Sequence, residues 1–259
     1  MSEATTGQVS TQAAELYDRF FVPALFDQWP GTLLDLAEVR AGDDVVDVGC
    51  GTGVLALAAL GRGGAVVGVD PNAGMLAVAW RRSSEVTWLE GVAEQLPLDA
   101  DSASVVASQF ALMFFVDRAG AVAEMRRVLR PGGRLVIATW TRVSEIPGYD
   151  ALAGLLRRVV GDAAAEALLA PFVVGSEGAL FDLVSPAFPD VRVETRAGRA
   201  RFFFFNDTAT TEIKAWTLED MVSDDQLAQL LAEAPAALGQ FVAPDGTVDF
   251  SLPALIASA

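Results

Sequence analysis

The chain has no histidine, one cysteine, two tyrosines and a single lysine among its 18 basic residues. Without histidine there is no Ser/His hydrolase triad, no imidazole general base and no imidazole ligand for zinc. Cys50 is the only cysteine, so no intramolecular disulfide and no cysteine metal cluster can form, and no metal site is expected. No apolar run reaches the roughly 18 residues that a membrane span requires. Residues 1–10 show no basic region followed by an apolar core, so neither a membrane span nor a secretory leader is expected, and the chain reads as cytoplasmic. Positive charge is scarce as well. The net charge of −16 opposes binding to nucleic acid or to an anionic membrane.

What is present is apolar material in alternating blocks. With 259 residues, 52% of them hydrophobic, the chain can bury a substantial core as one domain. No internal repeat appears. The organising stretch is 45–53, Val-Val-Asp-Val-Gly-Cys-Gly-Thr-Gly. It predicts a buried strand that ends at Asp47-Val48 and runs into a loop with glycines at 49, 51 and 53, followed at once by an apolar helix over 54–60. Such a loop brings backbone N–H groups and a helix N-terminus close to a ligand. A dinucleotide fingerprint would place its third glycine at residue 54, where Val54 stands, and this speaks against a nicotinamide-dependent oxidoreductase.

The pattern on either side alternates. An apolar face over 11–26 carries Ala14, Leu16, Tyr17, Phe20, Phe21 and Leu25 and predicts a helix that Pro23 breaks or kinks; a second helix is expected over 29–37. Strands are expected over 44–48, 65–69, 86–89, 101–108 and 134–140, and helices over 54–60, 72–80 and 116–129, the last with Val122, Met125, Val128 and Leu129 inward. Arg130-Pro-Gly-Gly133 reads as a helix C-cap and turn. Five strands alternating with helices imply a parallel, doubly wound sheet. Further on, helices are expected over 146–160, 163–170, 177–184 and 218–238, a strand over 191–195, a turn at 244–246 and a last strand over 248–257.

Asp70-Pro71 closes the second strand 17 residues beyond Gly53. A carboxylate there can accept hydrogen bonds from two ribose hydroxyls at once; the alternative is a helix N-cap. Met75 falls in the first turn of the next helix, where it can cover one face of an adenine. Ser108-Gln109 stands at the C-terminal end of the fourth strand, and ligands of open α/β sheets bind beyond those ends.

Three motifs together resemble the class I S-adenosylmethionine-dependent methyltransferases, in the branch of the ubiquinone and menaquinone methyltransferases. They are Asp47 to Gly53, Gly91-Val-Ala-Glu-Gln-Leu-Pro-Leu98, and Leu129-Arg-Pro-Gly-Gly-Arg-Leu135; the resemblance covers 17–140. Val92 departs from the family, which has Asp at that place, and so removes a side-chain contact to the adenine amino group.

The resemblance implies an α/β, Rossmann-like, doubly wound seven-stranded sheet, mostly parallel with an antiparallel last strand and helices on both faces. It also implies a single methyltransferase domain over 1–259, with lid helices at 10–40, the cofactor core at 41–140 and substrate-side helices and last strands at 141–259. The implied cofactor is S-adenosyl-L-methionine. Gly49, Cys50, Gly51 and Gly53 would admit it, and Asp47 would orient its amino-acid end or else only cap the loop. Asp70 and Pro71 would hold the ribose, Met75, Ala93 and Glu94 the adenine, while Ser108 and Gln109 would lie nearest the transferred methyl. The implied reaction is in-line displacement by an O, N or C atom of a small-molecule acceptor, in which the protein aligns the reactants and excludes water. A methyltransferase-like module without turnover is the alternative. Tyr17, Glu15, Asp18, Tyr149 and Asp150 are near the expected mouth, and none is assigned as a general base.

One stretch departs from its surroundings. Arg201 to Ile213, Arg-Phe-Phe-Phe-Phe-Asn-Asp-Thr-Ala-Thr-Thr-Glu-Ile, holds one of the two asparagines and abuts the only lysine, Lys214, in a chain otherwise rich in Ala, Gly, Arg and Val. Residues 202–213 resemble the peptide obtained when sequencing-adapter DNA is translated within an assembled gene; the alternative is an apolar strand over 202–205 and a Thr-rich turn. Resequencing the gene from genomic DNA separates the two.

Overall fold

The structure is a computed structural model that describes residues 10–202 and 221–259. The adapter-like stretch beyond Phe202 and the first residues of the expected 218–238 helix lie outside them.

Runs of β-branched residues form the strands because both faces of the sheet are to be covered, and buried parallel strands are apolar on both sides. The strands are β1 (Asp44–Val48), β2 (Ala65–Asp70), β3 (Thr87–Glu90), β4 (Ala103–Gln109) and β5 (Leu129–Trp140), all pairing in parallel. Helices α3 (Val54–Gly61) and α4 (Ala73–Arg82) follow β1 and β2, and α5 (Arg118–Val128) follows β4. As the spacing predicted, Val122, Met125 and Val128 of α5 are buried, with Leu129 after them. With β6 (Arg192–Arg196) and β9 (Ala254–Ser258) the sheet has seven strands in the order β3-β2-β1-β4-β5-β9-β6, and β9 runs antiparallel to both neighbours. Two apolar clusters cover its faces. One holds α3 and α4 residues such as Leu55 and Leu76, the other α5 and α8 (Glu177–Val184) residues such as Met125 and Leu180.

The chain moves outward through β1, β2 and β3, then returns to place β4 on the other side of β1. The C-terminal ends of β1 and β4 therefore flank the point where strand order reverses, the place in such sheets where a crevice opens.

The remaining elements crowd that end. Helix α1 (Thr11–Phe21) packs on α4 and passes at Val22–Phe26 into one π-helical turn containing Pro23. This is the break expected there, since proline has no N–H for the α-helical ladder. Helix α2 (Pro30–Leu36) leads to β1, and α6 (Pro147–Val159) and α7 (Asp162–Leu169) follow β5.

Two expectations are corrected. The strand over 248–257 is two strands: β8 (Val248–Ser251) pairs with β7 (Arg199–Phe202) in a separate ribbon, while β9 enters the main sheet. Pro253 lies between them and cannot donate to a ladder. The segment enclosed between β6 and β9 thus holds this ribbon as well as the helix α9 (Asp224–Leu238). At 130–133 no left-handed helix cap forms. Leu129 is already extended and pairs with Ala103, and the next pair is Val105 with Arg134. Pro131-Gly132-Gly133 is thus an irregularity inside β5, with Gly132 at φ +75°.

Candidate cofactor cradle and acceptor face

The loop after β1 is left-handed at each glycine: φ is +72° at Gly49, +53° at Gly51 and +89° at Gly53. The three are glycine for different reasons. A Cβ on Gly49 would overlap the Ala111 side chain, and one on Gly53 would lie 2.5 Å from the Trp88 ring; on Gly51 it would meet nothing within 4 Å. Gly49 and Gly53 are held by packing, whereas Gly51 leaves room beside the loop. The loop is anchored to the second strand, since Gly49 N–H (2.8 Å) and Cys50 N–H (3.1 Å) both donate to Val69 O.

Two buried carboxylates frame it. Asp47 Oδ2 accepts from Ala56 N–H (3.0 Å), so it caps α3. Burial pushes its carboxyl up to about 7, with the Asp70 charge adding to this and the Ala56 hydrogen bond opposing it. Asp70 Oδ2 accepts from Gly51 N–H and Oδ1 from Asn72 N–H, each at 2.8 Å. Burial raises its carboxyl too, against those two hydrogen bonds. The N-cap of α4 is Asn72, whose Oδ1 accepts from Gly74 and Met75 N–H. Asp70 is therefore not the cap, and each of its oxygens retains a second lone pair. Burial also holds the Cys50 thiol well above its usual range, with Asp47 and Asp70 adding to this. Cys50 is thus a buried loop-filler and no thiolate nucleophile.

The other expected residues are distributed as follows. Pro71 is exposed and Met75 half-buried in the first turn of α4. Ala93 is buried, and Glu94 Oε1 accepts from Val116 (2.8 Å) and Asp117 (3.1 Å) N–H, tying the β3–β4 connection to the start of α5. Val92 is exposed. Ser108 is fully buried with its hydroxyl donating to Val48 O (2.8 Å), a bond between β4 and β1, while Gln109 Nε2 donates to Phe26 O (3.4 Å).

Among residues named near the mouth, Glu15 pairs with Arg81 and Asp18 with Arg82, both at 2.7 Å. Tyr149 is buried against Phe172 and Phe250, and Asp150 is exposed. Tyr17 stacks on Phe26, and its phenol is pushed upward by burial, then by Asp70 and Asp18. None of these is shown as a base at neutral pH. Among the described residues no group of His, Cys, Asp and Glu could hold a metal ion.

Beyond the end of β4 lies an aromatic face that the sequence reading did not single out. Phe110 (φ +54°) stacks on Trp140 with centroids 3.7 Å apart, and Trp29 and Phe26 pack against both. The only signal available was the positions of Trp29, Phe110 and Trp140, near the ends of an expected helix and two expected strands.

Residues 46–137 match the model of a family described as Methyltransferase domain. The sheet around this segment has the Rossmann-like fold seen in solved methyltransferase structures. Over 114 residues the chain is 35% identical to the demethylmenaquinone methyltransferase of Paenarthrobacter aurescens, a match covering 44% of this chain and 45% of that one. The chain spans about half the length of the curated relatives it matches. A solved structure from Anabaena variabilis, titled a putative methyltransferase from an antibiotic biosynthesis pathway, superposes with TM-score 0.66 at 19% identity, covering 88% of this chain and 96% of that one. The phosphoethanolamine N-methyltransferase 2 of Haemonchus contortus, solved with S-adenosyl-L-methionine, gives TM-score 0.63 at 18% identity, covering 98% and 58%.

Proposed function

We propose that the protein transfers a methyl group from S-adenosyl-L-methionine to a small-molecule acceptor, and that it folds as one unit over 1–259, with 10–40 as lid, 41–140 as cofactor core and 141–259 on the acceptor side. The observation that carries this reading is the loop itself. Gly51 leaves open space beside a left-handed turn whose N–H is fixed by Asp70, at the point where strand order reverses.

The residues present fit the cofactor. Asp70 has unused lone pairs for the two ribose hydroxyls, with Pro71 beside it, and Met75, Ala93 and the Glu94 backbone lie next along the crevice as the adenine side. Asp47 acts through α3, holding the glycine loop in place with a capping bond, and the loop backbone at Gly49, Cys50, Gly51 and Gly53 faces the amino-acid end. Gln109 stands at the acceptor end, and Ser108 braces β4 against β1. When bound, the sulfonium supplies an activated methyl and a good leaving group. The chain then has to align the acceptor and keep water out, which the aromatic face beyond β4 favours. No side chain is assigned as a base.

The relative from Paenarthrobacter makes quinols the first acceptors to try. Release of S-adenosylhomocysteine from S-adenosylmethionine with a panel of quinols, phenols and amines tests the reading. Acceptor-dependent release supports it. Cofactor binding without product across the panel would point to a binding module, and saturable binding of NADH in its place would point to an oxidoreductase. The cytoplasm is the proposed compartment; no helix among the described residues is long and apolar enough to cross a membrane.

A further inference from the structure

The aromatic face contains two polar atoms that its own residues do not satisfy. Trp29 is 2% exposed, and among the described residues its indole Nε1–H finds no acceptor. Gln109 Oε1 is buried and, among the described residues, receives no donor, while the same amide's Nε2 donates to Phe26 O. The two residues converge, because Phe26 O also accepts from the Trp29 backbone N–H at 3.2 Å. Buried polar groups are almost always paired, and leaving one unpaired is costly. Here the main chain of the residue with the orphan donor and the amide of the residue with the orphan acceptor share a single carbonyl, and Phe110, next in the chain to Gln109, is a non-glycine residue in the left-handed region. Strain of that kind collects at binding sites.

We propose that Trp29 and Gln109 are the specificity-determining pair of the acceptor site, reading one hydroxyl on a flat aromatic ring: the hydroxyl oxygen accepts from Trp29 Nε1–H, and its hydrogen is donated to Gln109 Oε1. The complement of one donor and one acceptor is a group that both gives and receives, which a hydroxyl does and an ether or a ketone does not. The rings of Phe26, Phe110 and Trp140 favour a flat, apolar carrier. Neither member of the pair is charged, so an ammonium or carboxylate would be desolvated without a counter-charge from them. This inference rests on the proposed function, because it identifies the crevice beyond β4 as the acceptor side.

The test uses the full chain saturated with S-adenosylhomocysteine, so that nothing turns over, and two probes, 1-naphthol and 1-methoxynaphthalene, titrated by calorimetry and by the indole N–H region of a ¹H–¹⁵N spectrum. In the unmodified protein 1-naphthol is expected to bind about tenfold or more tightly than the ether and to move one indole resonance, the one missing in Trp29→Phe. Trp29→Phe should weaken both probes; Gln109→Met should weaken 1-naphthol and leave the ether unchanged. Equal affinity for the two probes in the unmodified protein overturns the proposal, and that comparison needs no variant to fold. Unchanged naphthol affinity in both variants overturns it too, leaving the orphan atoms to an ordered water. Failure to bind S-adenosylhomocysteine at all would instead overturn the cofactor reading. Saturable S-adenosylhomocysteine binding with no naphthol response overturns the hydroxyl-reading pair alone.

Discussion

The two ends of the crevice are built in opposite ways. At the glycine loop the carboxylates and the cap are held by nearby backbone, Asp47 by Ala56, Asp70 by Gly51 and Asn72, and the Asn72 side chain by Gly74 and Met75, with the buried Thr52 hydroxyl the exception that finds no partner among the described residues. The aromatic face is assembled from the π-turn, the ends of β4 and β5 and the residue before α2, and among the described residues it leaves an indole N–H and an amide oxygen unpaired. Carboxylates bonded to backbone hold the loop's shape before anything binds. A face with unmet hydrogen bonds is completed by what it binds. This contrast fits one end common to many enzymes and another that selects.

The sharpest way to break the comparison is to add side chains to the loop glycines. Gly53→Val would force a β-branched residue into φ +89° against the Trp88 ring and should cost about 5 kcal/mol of stability in a denaturant melt. Gly51→Ala meets no atom within 4 Å, so it should cost only about 1–2 kcal/mol while weakening S-adenosylhomocysteine binding. Equal stability losses at the two positions would show that Gly51 leaves no ligand space.

The next effect is on pH. The native state holds the Asp47 proton up to about pH 7, whereas an ordinary aspartate releases it near 3.8. Stability should therefore be highest below the lower value and fall as pH rises through this window, by about 4 kcal/mol, with Asp70 acting in the same direction. Asp47→Asn keeps an oxygen for Ala56 N–H and should flatten the profile, read by thermal melts between pH 4 and pH 8. A profile as steep in the variant would assign the dependence elsewhere.

Asp70→Asn retains one oxygen for two backbone donors and the ribose. It should weaken S-adenosylhomocysteine about 100-fold, or roughly 3 kcal/mol by calorimetry. The smallest effect belongs to Arg82, which donates to Asp18 at 2.7 Å and to Thr52 O at 3.4 Å and is 32% exposed. Arg82→Ala should change stability by about 0.5 kcal/mol; a much larger loss would make the α1–α4 contact part of the cradle.

The same contrast explains what could be read from the residues alone. Strand β1, the glycine loop and α3 are contiguous, and local chemistry decides them: a β-branched run, glycines that alone tolerate positive φ, then an apolar helix. The place of Asp70 at the end of β2 was legible for the same reason, and the helix cap is Asn72, two residues on; its ribose role is part of the proposal. The aromatic face was not, because Phe26, Trp29, Phe110 and Trp140 meet only after the sheet has formed, and no periodicity records contacts across such separations. The division of 248–257 into β8 and β9 was hidden in a run of near-continuous apolar residues, in which Pro253 was the one available sign. At 130–133, proline and glycines signalled a turn, but the pairing of Leu129 with Ala103 places it inside a strand.

Whether the glycine loop and Asp70 hold S-adenosylmethionine is decided by calorimetric titration with S-adenosylhomocysteine and with NADH. Saturable binding of S-adenosylhomocysteine at one site is expected, lost or strongly weakened in Gly51→Ala and Asp70→Asn, with no binding of NADH. Saturable NADH binding, or S-adenosylhomocysteine affinity unchanged in both variants, would contradict that reading.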